Sequence, residues 1–243
     1  MQKLMGLVRR CVEDYNMISP GDRIAVGISG GKDSLVLLQI LSGLREYSDF
    51  TLDAVTVDMG LGMDYSSVAK FCEDLNVPYH VIKTEIGPII FEHRKEKNPC
   101  SMCAKMRRGA LNQAILDLGI RKIALGHHYD DAVETFLMSL LYEGRISCFQ
   151  PVTELDRMGV TQIRPMLYIH EKTVDNFARR MALPVVENRC PADKRTKREE
   201  IKQLVFELSG RYPDLKERVF GAMQRLPLPE WEPKGRYKRP KDE

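Results

Sequence analysis

Apolar and polar positions follow two alternating periods between Asp22 and Gly144. Short apolar runs alternate with longer segments whose apolar residues recur every three or four positions. The runs that predict strands are RIAVGIS, TLDAVTVDMG, PYHVIKTEI and RKIALGHH. The segments that predict helices are Lys32–Leu44, SSVAKFCEDLN, AKMRRGALNQAILDLG and DDAVETFLMSLLYEG. Strands that alternate with helices favour an α/β fold, built on a parallel sheet with helices on both faces.

The pattern changes after Gly144. One further strand is predicted at VTQIRPMLYI and a short one at LPVVEN, and the rest of the chain is mainly helical. These helices are predicted at Lys172–Ala182, Thr196–Leu208 and Tyr212–Met223. The first residues, MQKLMGLVRRCVEDYN, predict an amphipathic helix. We therefore expect an N-terminal helix (1–20), an α/β domain (21–190) and a basic C-terminal helical extension with an irregular tail (191–243).

Composition excludes several classes of protein. The 243 residues are 43% hydrophobic and 29% charged, as in soluble globular proteins. No apolar run approaches the ~20 residues that a membrane-spanning helix needs. The first residues also lack the apolar core of a secretory signal. A cytoplasmic location follows as the default expectation.

The charged residues are nearly balanced, with 37 Lys+Arg against 34 Asp+Glu and a net charge of +3. Their distribution says more than their sum. The segments RCPADKRTKR (189–198) and KGRYKRPK (234–241) are strongly basic. Each is either a solvated face or a surface that contacts the phosphate backbone of a nucleic acid.

The stretch GISGGKDS (27–34) joins a predicted strand to the helix that follows it. Its small and polar members are Ser29, Gly30, Gly31, Lys32, Asp33 and Ser34. Ligands of open α/β sheets bind at the carboxyl ends of strands, and the free N–H groups of a helix start bind phosphate. The glycines let the backbone approach an anion, the hydroxyls donate hydrogen bonds and the lysine adds charge. The spacing is not that of a Walker loop, because Val26 stands where its first glycine would be.

The stretch GHHYDDAVET (126–135) follows another predicted strand, so we expect it to face the same cleft. Asp130 and Asp131 open the next helix. Acidic residues there either cap the helix and complement its dipole, or hold Mg²⁺ beside a bound phosphate. His127 either contacts a nucleotide or substrate, or is a structural side chain at a strand end.

The chain has six cysteines, which are Cys11, Cys72, Cys100, Cys103, Cys148 and Cys190. A cytosolic location argues against a disulfide framework. Cys100 and Cys103 form a C-x-x-C pair at a helix start, which fits a redox pair, a structural zinc site or an iron–sulfur cluster. Cys190 is the obvious further ligand. Cys11 and Cys72 lie on apolar helical faces and are expected to be buried. The sequence does not indicate whether Cys148 is buried or is a ligand.

These motifs occur in an order that resembles one family. The loop SGGKDS, then PCSMCAKMRRGAL, then ALGHHYDD, and a late cysteine in ENRCPADKRTKREEI are together similar to the tRNA 2-thiocytidine synthetases, the TtcA family of the PP-loop ATPase superfamily. The resemblance covers roughly Asp22 to Leu208. Some members carry a second cysteine where this chain has Glu187. The resemblance implies a PP-loop/HUP-like fold of the adenine nucleotide alpha hydrolase-like type.

The resemblance implies an ATP-dependent tRNA sulfurtransferase. Such an enzyme cleaves ATP to AMP and pyrophosphate, adenylates the C2 oxygen of an anticodon-loop cytidine, and inserts sulfur at an iron–sulfur cluster. The implied cofactors are ATP, Mg²⁺ and a [4Fe–4S] cluster. The implied partners are tRNA and a sulfur donor, either a cysteine desulfurase or free sulfide, and family members are often homodimers. A cysteine persulfide is the rival to sulfide held by the cluster.

The resemblance also implies roles for residues. ATP contacts are expected at Ser29, Gly30, Gly31, Lys32, Asp33, Ser34, Val57, Asp58, Gly126 and His127. The expected catalytic groups are Lys32, Asp33, Asp131 and the three cluster ligands Cys100, Cys103 and Cys190. The expected Mg²⁺ ligands are Asp130 and Asp131. The expected RNA contacts are Lys105, Arg107, Arg108, Arg189, Lys194, Arg195, Lys197 and Arg198.

Two other functions stay open at this point. One is a different ATP-pyrophosphatase sulfurtransferase, such as a PP-loop 2-thiouridine synthetase. The other is a zinc-bearing nucleotide-binding module that performs no chemistry. A cluster would colour the anaerobic protein brown, whereas zinc would leave it colourless.

Overall fold

A six-stranded sheet forms the centre of the computed structural model, which describes residues 2–94, 99–191 and 197–225. The strands are β1 (Asp22–Gly27), β2 (Phe50–Asp58), β3 (Tyr79–Lys83), β4 (Lys122–Ala124), β5 (Val152–Leu155) and β6 (Val160–Ile163). Their order in the sheet is β3-β2-β1-β4-β6-β5. Neighbouring strands are parallel except β5, which runs antiparallel to β6 at one edge.

Helices connect the strands and cover both faces of the sheet, as predicted. They are α1 (Gln2–Asp14), α2 (Lys32–Leu44), α3 (Ser66–Asp74), α4 (Ile86–Pro88), α5 (Pro99–Asp117), α6 (Tyr129–Met138), α7 (Glu171–Arg180), α8 (Lys197–Arg211) and α9 (Leu215–Arg225). The single turn α4 continues into a π-helical segment, Ile89–Arg94, and α6 continues into another, Ser139–Glu143. Helices α8 and α9 form the predicted C-terminal helical extension.

Side chains of the central strands alternate between the two faces of the sheet. Ile24 and Val26 of β1 pack into a large core to which α1, α2, α3, α6, α7 and α9 contribute. Ala25, between them, faces a smaller core with Ile115 of α5. α2 is buried on most sides because it packs against the sheet, α1 and α7. This packing fixes the start of α2 at the carboxyl end of β1.

The region after Gly144 differs from the expectation at one predicted strand that is absent and at another that is present but shorter. The strand expected at LPVVEN (183–188) is wrong, because these residues form no strand, and Val186 instead hydrogen-bonds to the loop after β1. VTQIRPMLYI contains a strand only over Val160–Ile163, which pairs with the unexpected strand β5. Strand formation depends on a pairing partner elsewhere in the chain, and a local apolar pattern does not contain that information.

The N-terminal helix belongs to the same packed body as the sheet. α1 buries Leu4, Val8 and Cys11 in the large core. The division of the chain at residues 20 and 190 stays a prediction. Every helix in the part of the chain that the structure describes is too short or too polar to cross a bilayer.

Candidate active site

The loop after β1 has a backbone shaped for close approach. Gly30 is left-handed, with φ of 81°, and its carbonyl accepts a hydrogen bond from the N–H of Val186 at 2.9 Å. A Cβ atom at Gly30 would lie 3.0 Å from the Cβ of Val186, so a larger residue would be strained there. Gly31 is the N-cap residue of α2, and no side chain accepts a hydrogen bond from the first turn of the helix as a cap. The N–H groups of the first turn are therefore available to a phosphate.

The hydroxyl groups close this loop on itself. Ser34 Oγ donates to the carbonyl of Gly31 at 2.9 Å and accepts from the N–H of Ser29 at 3.2 Å. The N–H of Gly31 donates in turn to Ser29 Oγ at 3.3 Å. These bonds shape the turn before a ligand arrives, which lowers the entropy lost on binding.

Lys32 stands among three carboxylates. Its Nζ lies 3.3 Å from Glu171 Oε1 and 3.4 Å from Asp175 Oδ1, both on α7. The Oδ1 of neighbouring Asp33 is also at 3.4 Å. Burial would lower the pKa of Lys32, but the three carboxylates together raise it above its usual value. Lys32 is therefore charged at neutral pH and held beside the loop.

Asp33 keeps one carboxylate oxygen without a hydrogen bond, although Lys32 Nζ lies 3.4 Å from it. Its Oδ1 is buried and accepts no hydrogen bond from the described residues. Burial raises the pKa of Asp33, while Lys32 and His128 oppose the shift. The negative charge of Asp131 adds to the increase. A cation or a hydrogen-bond donor at this oxygen would remove the penalty of leaving it unpaired.

The loop after β4 packs directly on the start of α2. A Cβ atom at Gly126 would lie 3.1 Å from the carbonyl carbon of Asp33 and 3.1 Å from the nitrogen of Ser34. Both are backbone atoms inside a packed helix, so a larger residue at this position would have to push the start of α2 outward by a few tenths of an ångström. The contact brings GHHYDD against the phosphate loop, as expected for segments that follow the adjacent parallel strands β4 and β1.

His128 and Asp131 cap α6 reciprocally. His128 Nδ1 accepts from the N–H of Asp131 at 3.3 Å, and Asp131 Oδ2 accepts from the N–H of His128 at 2.9 Å. The other oxygen, Oδ1, accepts from Arg198 of α8 at 2.8 Å. The carboxylate of Asp131 is therefore fixed by two elements of the fold.

Asp130 ties three helices together. Its Oδ2 accepts from the N–H of Glu171 at the start of α7, at 2.6 Å, and its Oδ1 accepts from Lys216 Nζ of α9. Burial would raise the pKa of Asp130, but these bonds lower it below its usual value. Both oxygens have protein donors, so a metal at Asp130 would require Lys216 to move. The role of Asp130 as a Mg²⁺ ligand stays a prediction.

His127 packs against an aromatic ring and near a buried cation. Its ring centroid is 4.8 Å from that of Phe149, and the Arg164 guanidinium is 5.0 Å from the same Phe149 centroid. Burial, and then Arg164, lower the pKa of His127 to about 4, so the ring is neutral at pH 7. Its Nδ1 is buried without a hydrogen-bond partner among the described residues. An unpaired polar atom at a strand's carboxyl end favours a ligand contact.

The last residues of β2, Val57 and Asp58, have structural contacts in an apolar cluster and in the turn after the strand. The side chain of Val57 is buried in an apolar cluster with Met59, Ile86 and Ile90. Asp58 Oδ1 accepts from the N–H of Gly60 at 3.0 Å and so forms the turn after the strand. The expected contacts of Val57 and Asp58 with a nucleotide stay predictions.

Cys103 lies within electrostatic range of the other two candidate ligand cysteines, Cys100 and Cys190. Cys100 and Cys103 lie one turn apart at the start of α5. Burial raises the pKa of Cys103, and Arg107 opposes the shift. The charges of Cys190 and Cys100 raise it further, because both thiols are close by. No three His, Cys, Asp or Glu side chains in the described ranges already form a metal site, so these three would have to converge on a metal.

Cys190 reaches this point on a segment that is attached at two places. The N–H of Val186 donates to the carbonyl of Gly30 in the phosphate loop at 2.9 Å. Arg189 Nη1 donates to the carbonyl of Gly62, after β2, at 2.8 Å. The segment before Cys190 is therefore attached to the loops that follow β1 and β2, at the carboxyl ends of these strands.

The other cysteines are accounted for by packing. Cys11 and Cys72 are buried in the large core, as expected, and Cys148 Sγ donates to the carbonyl of Ala132 at 3.5 Å. Burial raises the pKa of Cys72 to about 11 and that of Cys148 to about 12. These thiols are protonated at neutral pH, whereas metal ligation requires the thiolate.

The expected RNA contacts differ in exposure. Those exposed to solvent are Lys105, Arg107, Arg108, Arg189 and Lys197. Lys194 and Arg195 lie outside the described residues. Arg198 is only partly exposed, because its guanidinium contacts Asp131 and Thr135 of α6.

Comparison with known proteins assigns this geometry to a family. The profile of the PP-loop domain matches residues 5–208. A tRNA-cytidine(32) 2-sulfurtransferase from Geobacter sulfurreducens is 38% identical over 230 residues, which cover 91% of this chain and 89% of the relative. Another from Nitrosomonas eutropha is 34% identical over 241 residues, 97% of this chain and 77% of the relative. The chain belongs to the tRNA-cytidine(32) 2-sulfurtransferase family.

A solved structure has the same fold as this member of the sulfurtransferase family. The chain resembles the U34-tRNA thiolase NcsA from Methanococcus maripaludis, with its [4Fe–4S] cluster, at a TM-score of 0.74. The likeness covers 91% of this chain and 77% of that chain, at 24% sequence identity. At that identity it supports the fold alone. The family expected from the four motifs is confirmed by the curated relatives.

The sequence did not point to several residues that the sulfurtransferase fold brings into the site. They are Glu134, Thr135, Phe149, Arg164, Glu171, Asp175, Val186, Lys202 and Lys216. Glu134 and Thr135 had a local signal, because they end the stretch GHHYDDAVET. Glu171 follows a predicted strand and lies in the first turn of a helix, as Asp130 does. The others have no local pattern that distinguishes them from core or surface residues.

Proposed function

We propose that the chain replaces the C2 oxygen of an anticodon-loop cytidine in tRNA by sulfur, with ATP cleaved to AMP and pyrophosphate. One hydrogen bond carries the proposal. The N–H of Val186 donates to the carbonyl of Gly30, and it attaches the segment that ends at Cys190 to the phosphate loop. An activated base and a source of sulfur would therefore meet at one edge of the sheet.

The first step is adenylation of the base. The C2 oxygen attacks the α-phosphorus of ATP, the bond between the α-phosphorus and the bridging oxygen breaks, and pyrophosphate leaves. The uncapped start of α2, the hydroxyl of Ser29 and the charge of Lys32 would hold the phosphates. The contribution of the protein is mainly position and electrostatics, because this transfer needs little covalent chemistry from side chains.

Mg²⁺ would neutralise phosphate charge during this step. Asp131 is the first proposed ligand, because its side chain is 19% exposed against 4% for Asp130, and each oxygen can accept a further bond beside His128 or Arg198. Asp33 supports the site. The buried Oδ1 of Asp33 has no hydrogen-bond donor among the described residues, and its pKa responds to the charge of Asp131. Carboxylate oxygens are the ligands that Mg²⁺ prefers, and the Asp33 oxygen has no hydrogen bond to give up. Asp130 would join them only after releasing Lys216.

The second step replaces the activated oxygen. A sulfur nucleophile attacks C2 of the adenylated base, the bond from C2 to its oxygen breaks, and AMP leaves with that oxygen. The neutral His127, with its unpaired Nδ1 at the end of β4, would orient the base or nucleotide. The C2 oxygen alone is a poor leaving group, but as part of AMP it becomes a good one. This is the reason that the reaction needs ATP.

Cys100, Cys103 and Cys190 would hold a [4Fe–4S] cluster, which would supply an open coordination position for sulfide. The donor set fits, because Cys103 lies within electrostatic range of the other two thiols, whereas Cys11, Cys72 and Cys148 are packed against the large core. The side chains would converge from their present positions. A persulfide on one of the three remains the rival sulfur carrier in this proposal.

Exposed cations around the cysteines would bind the RNA. Lys105, Arg107 and Arg108 follow the C-x-x-C pair on α5, and Arg189 precedes Cys190. Anticodon-loop bases are partly unstacked, which eases their entry into a recessed site. We expect the enzyme to work in the cytoplasm, with sulfur from a cysteine desulfurase or free sulfide, and as a homodimer by analogy with the family.

Mass spectrometry of tRNA nucleosides tests the proposal. A strain without the gene should lose 2-thiocytidine, and the natural chain should restore it while Lys32→Ala should not. Arg211→Gln, at the far end of α8, is the matched control and should restore it. Loss of a 2-thiouridine with 2-thiocytidine intact would indicate another sulfurtransferase. Unchanged thiolation with a colourless, zinc-containing protein would indicate a nucleotide-binding module.

A further inference from the structure

The guanidinium of Arg198 is bound to the first turns of α6. Its Nη1 lies 2.8 Å from Asp131 Oδ1, and its Nη2 donates to Thr135 Oγ1 at 3.1 Å. Two donors of one rigid fork thus contact two residues that lie one helical turn apart on the same face. A cation whose role is to meet RNA phosphates would not need this geometry.

Arg198 completes the fixation of the Asp131 carboxylate. Oδ2 is already held by the N–H of His128 at 2.9 Å, within the cap of α6. With Arg198 on Oδ1, each oxygen has its own donor, so the plane of the carboxylate is set by two elements. Without Arg198 the side chain would keep one bond and could rotate about it.

The same guanidinium balances a second carboxylate. Glu134 lies three residues after Asp131 on α6 and is buried. Burial, together with the charge of Asp131, raises the pKa of Glu134 to about 7, and the positive charges of Arg198 and Lys202 oppose the increase. Loss of Arg198 would leave two acids one turn apart with less positive charge nearby.

Helix α8 also supports the other side of the phosphate loop. Lys202, one turn after Arg198, contacts Glu171 Oε1 at 2.7 Å. That same oxygen lies 3.3 Å from Lys32 Nζ. α8 is thus attached to the nucleotide site at two points on one helical face, and both attachments come from the C-terminal extension.

We infer that Arg198 is a positioning residue of the nucleotide site, which holds Asp131 in the orientation that Mg²⁺ and ATP require, and that it is not one of the RNA contacts. This inference rests on the proposed function only in that Asp131 serves a nucleotide. It changes the expectation from the sequence, where Arg198 was grouped with the basic residues around it. It also assigns α8 a part in ATP binding.

Isothermal titration of ATP, with and without Mg²⁺ and in the absence of tRNA, tests the inference on the full chain. Arg198→Gln should weaken Mg²⁺-dependent ATP binding by tenfold or more, and Arg198→Lys should weaken it less because it keeps the charge but not the fork. Binding of tRNA, measured by gel shift at fixed salt, should change by less than twofold in both variants. Arg211→Gln is the control from the same helix and should change neither affinity.

The neighbouring variant Lys197→Gln separates the two roles. Lys197 is exposed over the ring of Tyr142, at 4.7 Å, and lies next to Arg198 in the chain. It should weaken tRNA binding and leave ATP binding intact, the reverse of Arg198→Gln. If Arg198→Gln and Arg198→Lys weaken tRNA binding and leave ATP binding unchanged, the inference is overturned.

A double mutant tests whether Arg198 acts through Asp131. Asp131→Asn should weaken Mg²⁺-dependent ATP binding, and adding Arg198→Gln should weaken it by less than a further twofold, because contacting residues are not additive. Fully additive losses would overturn the inference. The assay contains no RNA, so failure of the proposed function would appear in the tRNA nucleosides while this result would still stand.

Discussion

Two charged clusters lie at opposite ends of the same sheet and differ in how completely their polar atoms are paired. Toward the amino ends of the strands, Asp53 of β2 lies between Arg23 of β1 and His80 of β3. Its Oδ2 accepts from Arg23 Nε at 2.8 Å, and its Oδ1 accepts from Arg23 Nη2 at 2.9 Å. His80 Nε2 is 3.1 Å from the same Oδ1. Burial would raise the pKa of Asp53, but these partners lower it.

The cluster at the carboxyl ends is left incomplete. Lys32 contacts three carboxylates at 3.3 to 3.4 Å, longer than the bonds around Asp53. Asp33 Oδ1 and His127 Nδ1 are buried and have no hydrogen-bond partner among the described residues. An unpaired buried polar atom costs about 1–3 kcal/mol, so the fold gives up stability there. The comparison indicates that one end of the sheet is built to be stable and the other to be completed by a ligand.

Removing Lys32 should have the largest effect on activity and little effect on stability. Lys32→Ala should lower ATP turnover by about a thousandfold, because it removes a charge that meets the phosphates in the transition state. The free energy of unfolding should change by about 1 kcal/mol or less, since the ion pairs of Lys32 are long and partly exposed. Product analysis with labelled ATP and urea unfolding measure the two effects. ADP and orthophosphate as main products would contradict the assignment.

The next prediction compares two cysteines, the proposed cluster ligand Cys190 and the packed Cys148. Cys190→Ala should lose nearly all iron and all thiolation, because Cys190 is a proposed cluster ligand, lies within electrostatic range of Cys103 and is not buried in the core. Cys148→Ala is the matched control and should keep its iron at a cost of about 1 kcal/mol in stability. Iron and sulfide content after anaerobic reconstitution decides between them. A full cluster in Cys190→Ala, or none in Cys148→Ala, would show that the ligand set is wrong.

Arg23→Gln should have the opposite effect to Lys32→Ala. It leaves the buried carboxylate of Asp53 with His80 as its remaining side-chain partner, so the chain should lose about 2 kcal/mol of stability at pH 7. The folded-state pKa of Asp53 lies below its unfolded value, so this stabilisation is lost as the pH falls through the folded-state pKa. Urea unfolding at several pH values should show the difference shrinking in acid. ATP turnover per folded molecule should stay within twofold, and a larger loss would show that the two ends of the sheet are coupled.

The sequence could predict one part of the candidate site and could not predict the other. The phosphate loop and GHHYDD are continuous stretches, and their glycines and acids have local geometric reasons that a sequence pattern retains. The partners that complete the site come from far along the chain. Glu171 lies 139 positions from Lys32, and Arg198 lies 67 positions from Asp131. Their contacts follow from the packing of α7 against α2 and of α8 against α6, which no local pattern contains.

The smallest expected effect is a loss of folding stability in acid that is caused by His127. Stability falls with the pH because burial disfavours the charged form of this side chain. The pKa of His127 is about 4 in the folded protein against an ordinary value of 6.5, because burial, and then Arg164, disfavour the cation. As the pH falls below about 6.5 the unfolded chain takes up this proton first, so folding stability declines toward the folded-state pKa. Between pH 7 and pH 5.5 the decline should amount to about 1 kcal/mol.

The variant His127→Phe isolates the pH dependence of stability that His127 contributes, because it keeps a ring against Phe149 and removes the titrating group. The other charged groups that act on His127 are Arg164, Asp131, Arg198 and His128, and they are present in both proteins. Their contributions therefore largely cancel when the two unfolding curves are subtracted at each pH. The difference should grow by about 1 kcal/mol in favour of the variant as the pH falls from 7 to 5.5. A constant difference would mean that His127 takes up its proton in the folded state as easily as in the unfolded chain, and that this end of the sheet is open to water.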